Sequence, residues 1–121
     1  MDKTEINRRM ATEVMDWVEG EKCYYWNGSD GLPNALNISK YNPADDLNQA
    51  MMGVEKLIPG TQTEYYFHIG RNGLAYVADI FTRSTSIVVP DQCIGSAYND
   101  NLATAICLAL LEAVENMKKE N

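Results

Sequence analysis

The chain predicts an α+β fold: a three-layer α-β-α sandwich in which a small antiparallel sheet carries helices on both faces. Three observations lead there. Apolar residues recur with a helical period over 5–18 and 47–58, then switch to a period of two over 65–82. After a polar, Gly-containing stretch, the run Leu102–Val114 is almost wholly apolar, as in a helix covered on most of its circumference. The resulting order is helix, short hairpin, helix, antiparallel strands, helix, with no linker and no repeat. Residues 1–121 therefore read as a single domain, and helices layered on a sheet satisfy that order.

In the first helix, Ile6, Met10, Val14, Trp17 and Val18 share a face, while Arg8, Arg9, Glu13, Asp16 and Glu19 fall elsewhere. Asp2 with Glu5 three residues on makes a capping pair, and Gly20 is the natural stop. Cys23–Trp26 reads as a short extended segment, and Asn27-Gly-Ser-Asp-Gly31 as a turn. Leu32–Ser39 returns as a second short strand, weakened by Pro33 and two asparagines. Asn42-Pro43 opens the second helix, with Asn as the cap and Pro in the first turn. Asp45 and Asp46 then sit where the helix dipole favours negative charge. Leu47, Met51, Val54 and Ile58 form its buried stripe, and Pro59-Gly60 ends it.

Tyr65, Phe67 and Ile69 alternate with Glu64, Tyr66 and His68 as a strand does. Gly70-Arg-Asn-Gly73 reads as a hairpin turn centred on Asn72-Gly73. The return strand, Leu74 to Thr82, places Leu74, Tyr76, Ala78 and Ile80 on one face and Ala75, Val77 and Phe81 on the other. Both faces are partly apolar, so both are expected to be covered. Ser86–Val89 reads as one more strand, Pro90–Asp100 as a loop, and Asp100 as the cap of the third helix. That helix, the most apolar, belongs at the centre or is shared with a second subunit, and a homo-oligomer is expected.

Composition narrows the function by exclusion. Of 121 residues, ten are basic and seventeen acidic, for a net charge of −7. Affinity for long nucleic acids comes largely from neutralising phosphates, so no polymeric nucleic acid is expected as a partner. Cys23, Cys93 and Cys107 are far apart and odd in number, which suits reduced thiols in a cytoplasmic protein better than zinc ligands or disulfides. Asp2, Lys3 and Glu5 charge the N-terminus, unlike a signal peptide. No apolar run reaches the ~18–20 residues that span a bilayer, so no membrane is expected.

No nucleophile–base spacing, metal-ligand spacing or phosphate-loop glycines occur, so no catalytic residues, metal or cofactor are expected. His68 reads as an ordinary strand histidine. Asp79, within an apolar strand, reads as a carboxylate paired with Arg71, Arg83 or a helix N-terminus rather than as a catalyst. Binding is better served. Tyr24, Trp26, Phe81 and Tyr98 are rings able to stack on a base. Arg71, Arg83 and the amides from Asn99 to Asn101, at a helix start, suit phosphate. The stretch Arg83–Asp100 adds the hydroxyls of Ser84, Thr85, Ser86 and Ser96 with Gln92 and Gly95, and Pro90–Tyr98 reads as a lid.

Three segments carry a family resemblance. Glu5-Ile-Asn-Arg-Arg-Met-Ala-Thr-Glu-Val-Met-Asp-Trp17 resembles the first helix of the phage ABA-sandwich domain family. Tyr41-Asn-Pro-Ala-Asp-Asp-Leu-Asn-Gln-Ala-Met-Met-Gly-Val-Glu-Lys-Leu57 looks like its second, and Ala103-Thr-Ala-Ile-Cys-Leu-Ala-Leu-Leu-Glu-Ala113 like its Ala-Ile-Cys helix. The resemblance implies a small phage or prophage protein, acting in the bacterial cytoplasm, with an α-β-α sandwich. It implies no single activity. By analogy with small phage proteins that hold nucleotide-derived immune signals, the expected function is a non-enzymatic, oligomeric anti-defence sponge with a small nucleotide-like ligand. The alternative is a protein–protein adaptor or a minor structural or regulatory protein. A small nucleotide hydrolase centred on Asp79 and His68 is a third reading.

Overall fold

The computed structural model describes residues 1–59, 64–84 and 86–119. Gly60 of the expected helix stop and the Thr85 hydroxyl lie outside the described residues. The fold is α+β, and the described residues form three α-helices and two three-stranded antiparallel sheets. One hydrophobic core joins them.

Helix α1, Lys3–Arg9, starts as expected, with the Asp2 carboxylate accepting from the Glu5 amide at 2.8 Å. It widens into a π-helical turn over Met10–Val14, where the Met15 amide reaches the Met10 carbonyl and the Trp17 amide reaches that of Ala11. The chain leaves at Asp16, whose φ of 61° is left-handed, rather than at Gly20. A wider turn advances the chain less per residue, and it delivers Trp17 to the core while Val18 goes to solvent.

Val18 and Glu19 form β1, which pairs with β2, Cys23–Asn27. On its other edge β2 pairs with β3, Pro33–Asn37, across the expected turn. Helix α2, Leu47–Leu57, begins later than Asn42-Pro43. Those two residues make a separate turn, with the Asn42 carbonyl accepting from the Asp45 and Asp46 amides. Asp46 is the cap, accepting from the Gln49 amide at 3.1 Å. Ala50, Gly53 and Val54 are its buried residues, Met51 and Ile58 pack against the core as expected, and Leu47 is exposed.

Strands β4, Tyr65–Asn72, and β5, Ala75–Thr82, pair with Asn72 opposite Ala75. The turn is therefore Gly73-Leu74, not Asn72-Gly73, and Gly73 supplies the positive φ of 68°. Leu74 is consigned to solvent, 90% exposed, instead of to a strand face. The largest departure comes next. Ser86–Val89 forms bends, and Gln92–Asn99, read as loop and lid, is strand β6 paired along β5. A bulge at Ile80/Phe81 turns Ile94 into the core. Gly95 lies so close to α3 that a Cβ there would meet the Ala109 carbonyl and the Ala113 amide.

Helix α3, Leu102–Lys119, is central as its composition demands. It packs on β5 and β6, with Ala109 and Ala113 admitting the β6 backbone, and on α2, where Leu110 meets Gly53. Ile106, Cys107 and Leu110 are wholly buried. Among the described residues no helix is long and apolar enough to cross a membrane.

Candidate functional site

The expected binding residues other than Arg71 fall in three separate places. The first is the face of β4–β5–β6 turned away from α3. Strand alternation places Ile80 and Gly95 against α3, so Phe81, Asp79 and Val77 point the other way, with Tyr66, His68 and Ser96 as cross-strand neighbours. Phe81 stacks on Tyr66 with ring centroids 5.0 Å apart and planes at 15°. The Arg83 guanidinium lies 4.9 Å from the Tyr66 centroid, so arginine and two rings form one column. The Tyr66 hydroxyl donates to Asp91 at 2.9 Å, and Asp91 also accepts from the Ser84 amide at 2.7 Å. That carboxylate clamps the base of the 83–91 connection. The Ser84 amide and then Tyr66 hold its pKa below the usual range. Burial, followed by the Asp91 contact, raises that of Tyr66.

One step along the same face, Asp79 accepts from the Ser96 hydroxyl at 2.6 Å and pairs with His68 Nδ1 at 3.6 Å. Asp79 does have a basic neighbour, but it is the His68 imidazole rather than Arg71 or Arg83. The carboxylate stands between serine and imidazole, so the serine proton is directed at Asp79 and not at the imidazole, unlike the Ser-His-Asp order of a hydrolytic triad. Cys93 sits opposite Phe81. Its thiol contacts the Gly95 carbonyl, and burial pushes its pKa up. Tyr98, 59% exposed, lies on this face opposite Val77, and its hydroxyl donates to the Asn72 carbonyl at 3.0 Å. Arg71 is not on this face. It pairs with Tyr76 on the α3 side, its guanidinium 5.1 Å from that ring.

The second place is the start of α3. Asn99 accepts from the Asn101 amide, and Asn101 accepts from the Thr104 amide at 3.3 Å. Asn101 also donates to Asp45 at 3.0 Å, beside the Lys3–Asp45 ion pair. Asn101, not Asp100, is therefore the cap, and the two asparagines are occupied in closing the helix end.

The third place is the core aromatic cluster. Trp26 stacks on Trp17 at 4.3 Å and 15°, and Trp17 and Tyr24 pack around Tyr41 at 4.9 and 5.8 Å. Tyr24 is buried rather than exposed on the hairpin. It forms part of the floor of a cleft of about 450 Å³ between α1, β1–β2 and residues 38–42. Arg8, Glu19 and Tyr41 share that cleft, and none of the three was singled out from the sequence. Arg8 and Tyr66 carried only periodicity signals there. The convergence of Arg8, Glu19, Tyr24 and Tyr41 depends on the chain folding back between positions remote in sequence.

Fold and surfaces together define an α+β fold with an open sheet face and, apart from it, the cleft floored by Tyr24 and Tyr41. Among the described residues no group of three or more His, Cys, Asp or Glu side chains could hold a metal ion. No family model, curated protein or solved structure matches the chain.

Proposed function

We propose that this chain is a non-enzymatic binding protein that holds a small nucleotide-derived host signal, a phage-encoded sponge working as a homo-oligomer in the cytoplasm of the infected bacterium. The observation behind it is the Arg83–Tyr66–Phe81 column on the outer sheet face. It combines a cation with stacked rings, two of its three members being residues that sequence reasoning had assigned to binding. Phosphate is drawn to Arg83, and a base stacks against the aromatic column. The phage origin and the cytoplasmic setting rest on the resemblance of the three helices.

Native mass spectrometry of the protein after incubation with extract of phage-infected cells tests this. An adduct of nucleotide mass, released unchanged by heat, is the expected result, and a chemically altered product would favour hydrolysis centred on Asp79 and His68. Stacked rings contribute about 1–3 kcal/mol each to such binding. Phe81→Ala with Arg83→Ala should therefore weaken the adduct roughly tenfold or more. Undiminished affinity in that double variant would rule the sheet face out.

A second reading, a protein–protein adaptor, is favoured by a different observation. Ile87, Val88 and Val89 are consecutive, apolar and strongly exposed at the end of the sheet where the column lies. A protein that yields no small-molecule adduct, yet loses a partner protein on replacement of these three residues by serine, would fit that reading.

A further inference from the structure

The cleft between α1 and β1–β2 stands apart from the sheet face and has a chemistry of its own. Its volume of about 450 Å³ lies within the range of ~300–1,000 Å³ typical of small-molecule pockets. Its floor is made of Tyr24 and Tyr41, only 2% and 3% exposed. Among the described residues the Tyr41 hydroxyl has no hydrogen-bond partner, and it is closed to solvent on the Cys107 side of the ring rather than open to the cleft. The Tyr24 hydroxyl has no hydrogen-bond partner among the described residues either, and burial raises the pKa of both phenols, so both remain protonated.

The charges on the walls are also uncommitted. Arg8 on α1 and Glu19 on β1 act on Tyr24 with opposite sign, so both lie within electrostatic reach of its hydroxyl. Neither is in an ion pair among the described residues. Three other polar side chains of the lining are occupied. Lys3 is tied to Asp45 at 2.7 Å, Asn7 to Asn42 at 2.8 Å, and the Ser39 hydroxyl to Asn37 at 2.7 Å. What is left free among the described residues is a cation, a carboxylate, the Thr4 hydroxyl and the Tyr24 hydroxyl in the floor.

We propose that this cleft binds a small molecule with an oxyanion at one end, held by Arg8, and an N–H donor at the other, accepted by Glu19, lying over the Tyr24 hydroxyl and beside Tyr41. A nucleoside monophosphate and a free amino acid share this chemistry. The site is independent of the sheet face, so each can fail without the other.

Titration of the full chain with adenosine monophosphate, L-glutamine and inorganic phosphate, followed by NMR of the tyrosine rings, tests the proposal. Adenosine monophosphate or glutamine should shift the Tyr24 and Tyr41 signals, and which of them does so identifies the source of the oxyanion. Arg8→Gln should weaken the bound probe and inorganic phosphate tenfold or more. Glu19→Gln should weaken the two-ended probe similarly while leaving phosphate unchanged. Both residues are exposed, so both variants should fold. Tyr24→Phe should lower affinity while leaving Tm unchanged, since the hydroxyl it removes has no partner among the described residues; a merely structural tyrosine would not behave so. Phe81→Ala with Arg83→Ala should leave these titrations unchanged. Absence of any Tyr24 or Tyr41 shift, or full affinity in Arg8→Gln or Glu19→Gln, overturns the proposal.

Discussion

Single residues in this protein are governed by how completely α3 is enclosed. Cys107 is wholly buried, and burial pushes its thiol pKa up to about 12. The thiolate is the reactive form, so at pH 8 a thiol reagent should modify Cys93 and Cys23 while sparing Cys107 until the protein is unfolded. Peptide mapping of the modified protein checks this. Asn101 illustrates how one residue type serves two ends. Its amide side chain matched a phosphate-binding role in the sequence, but it caps α3 and reaches across to Asp45. Asn101→Ala should lower stability by about 1 kcal/mol, the usual cost of losing a cap. It should leave binding at the sheet face intact, and denaturant unfolding beside ligand titration separates the two effects.

Elements were legible wherever a periodic pattern and a local stop agreed. The α1 cap, the β2–β3 hairpin, β4, β5 and α3 all have such signals. The boundaries moved where a stop signal had a competitor. Asn42-Pro43 carries a helix-start signature, yet Asp46 offers a cap closer to the residues that meet α3, and packing selected it. Strand β6 was missed because its sequence has no clean alternation: the bulge turns Ile94 and the following Gly95 both inward. Gly95 was the available clue, since a glycine inside a strand often marks a close backbone approach. Gly95→Ala should cost about 1–3 kcal/mol by overpacking, because both groups facing the new methyl belong to the α3 backbone and cannot rotate away. A thermal melt measures it.

Within the first helical segment, Arg9 and Glu13 join in a two-pronged pair at 2.6 and 3.1 Å. The hydrogen bond from Arg9 is the main cause holding the Glu13 pKa below its ordinary value. A folded-state pKa that is depressed contributes stability above the unfolded value and loses it as pH falls through the folded one. The Tm advantage of the native protein over Glu13→Gln should therefore be present at neutral pH and vanish below the normal carboxylate range. Melts of both proteins across an acid series read it directly.

At the scale of the whole molecule, α3 links β5 and β6 to α2 and the π-helical turn, so its core residues report on both sides at once. Leu110→Ala should cost about 2–5 kcal/mol and accelerate hydrogen exchange in β5 and α2 together. Acceleration in only one of them would mean that the layers are stabilised separately.

The sequence by itself determined the α+β class, the amphipathic helices, the central hairpin and the burial of α3. These follow from nearest-neighbour backbone chemistry and from the period of the apolar residues, both of which are local. Tertiary structure alone decided that residues 92–99 form a strand, that Phe81 and Arg83 share Tyr66 while Arg71 goes to the opposite side, and that Tyr24 forms a cleft floor with Tyr41. Those outcomes depend on which strand face meets α3 and on how closely two backbones approach. Both are settled by packing between residues far apart in the chain, which no short window of sequence contains.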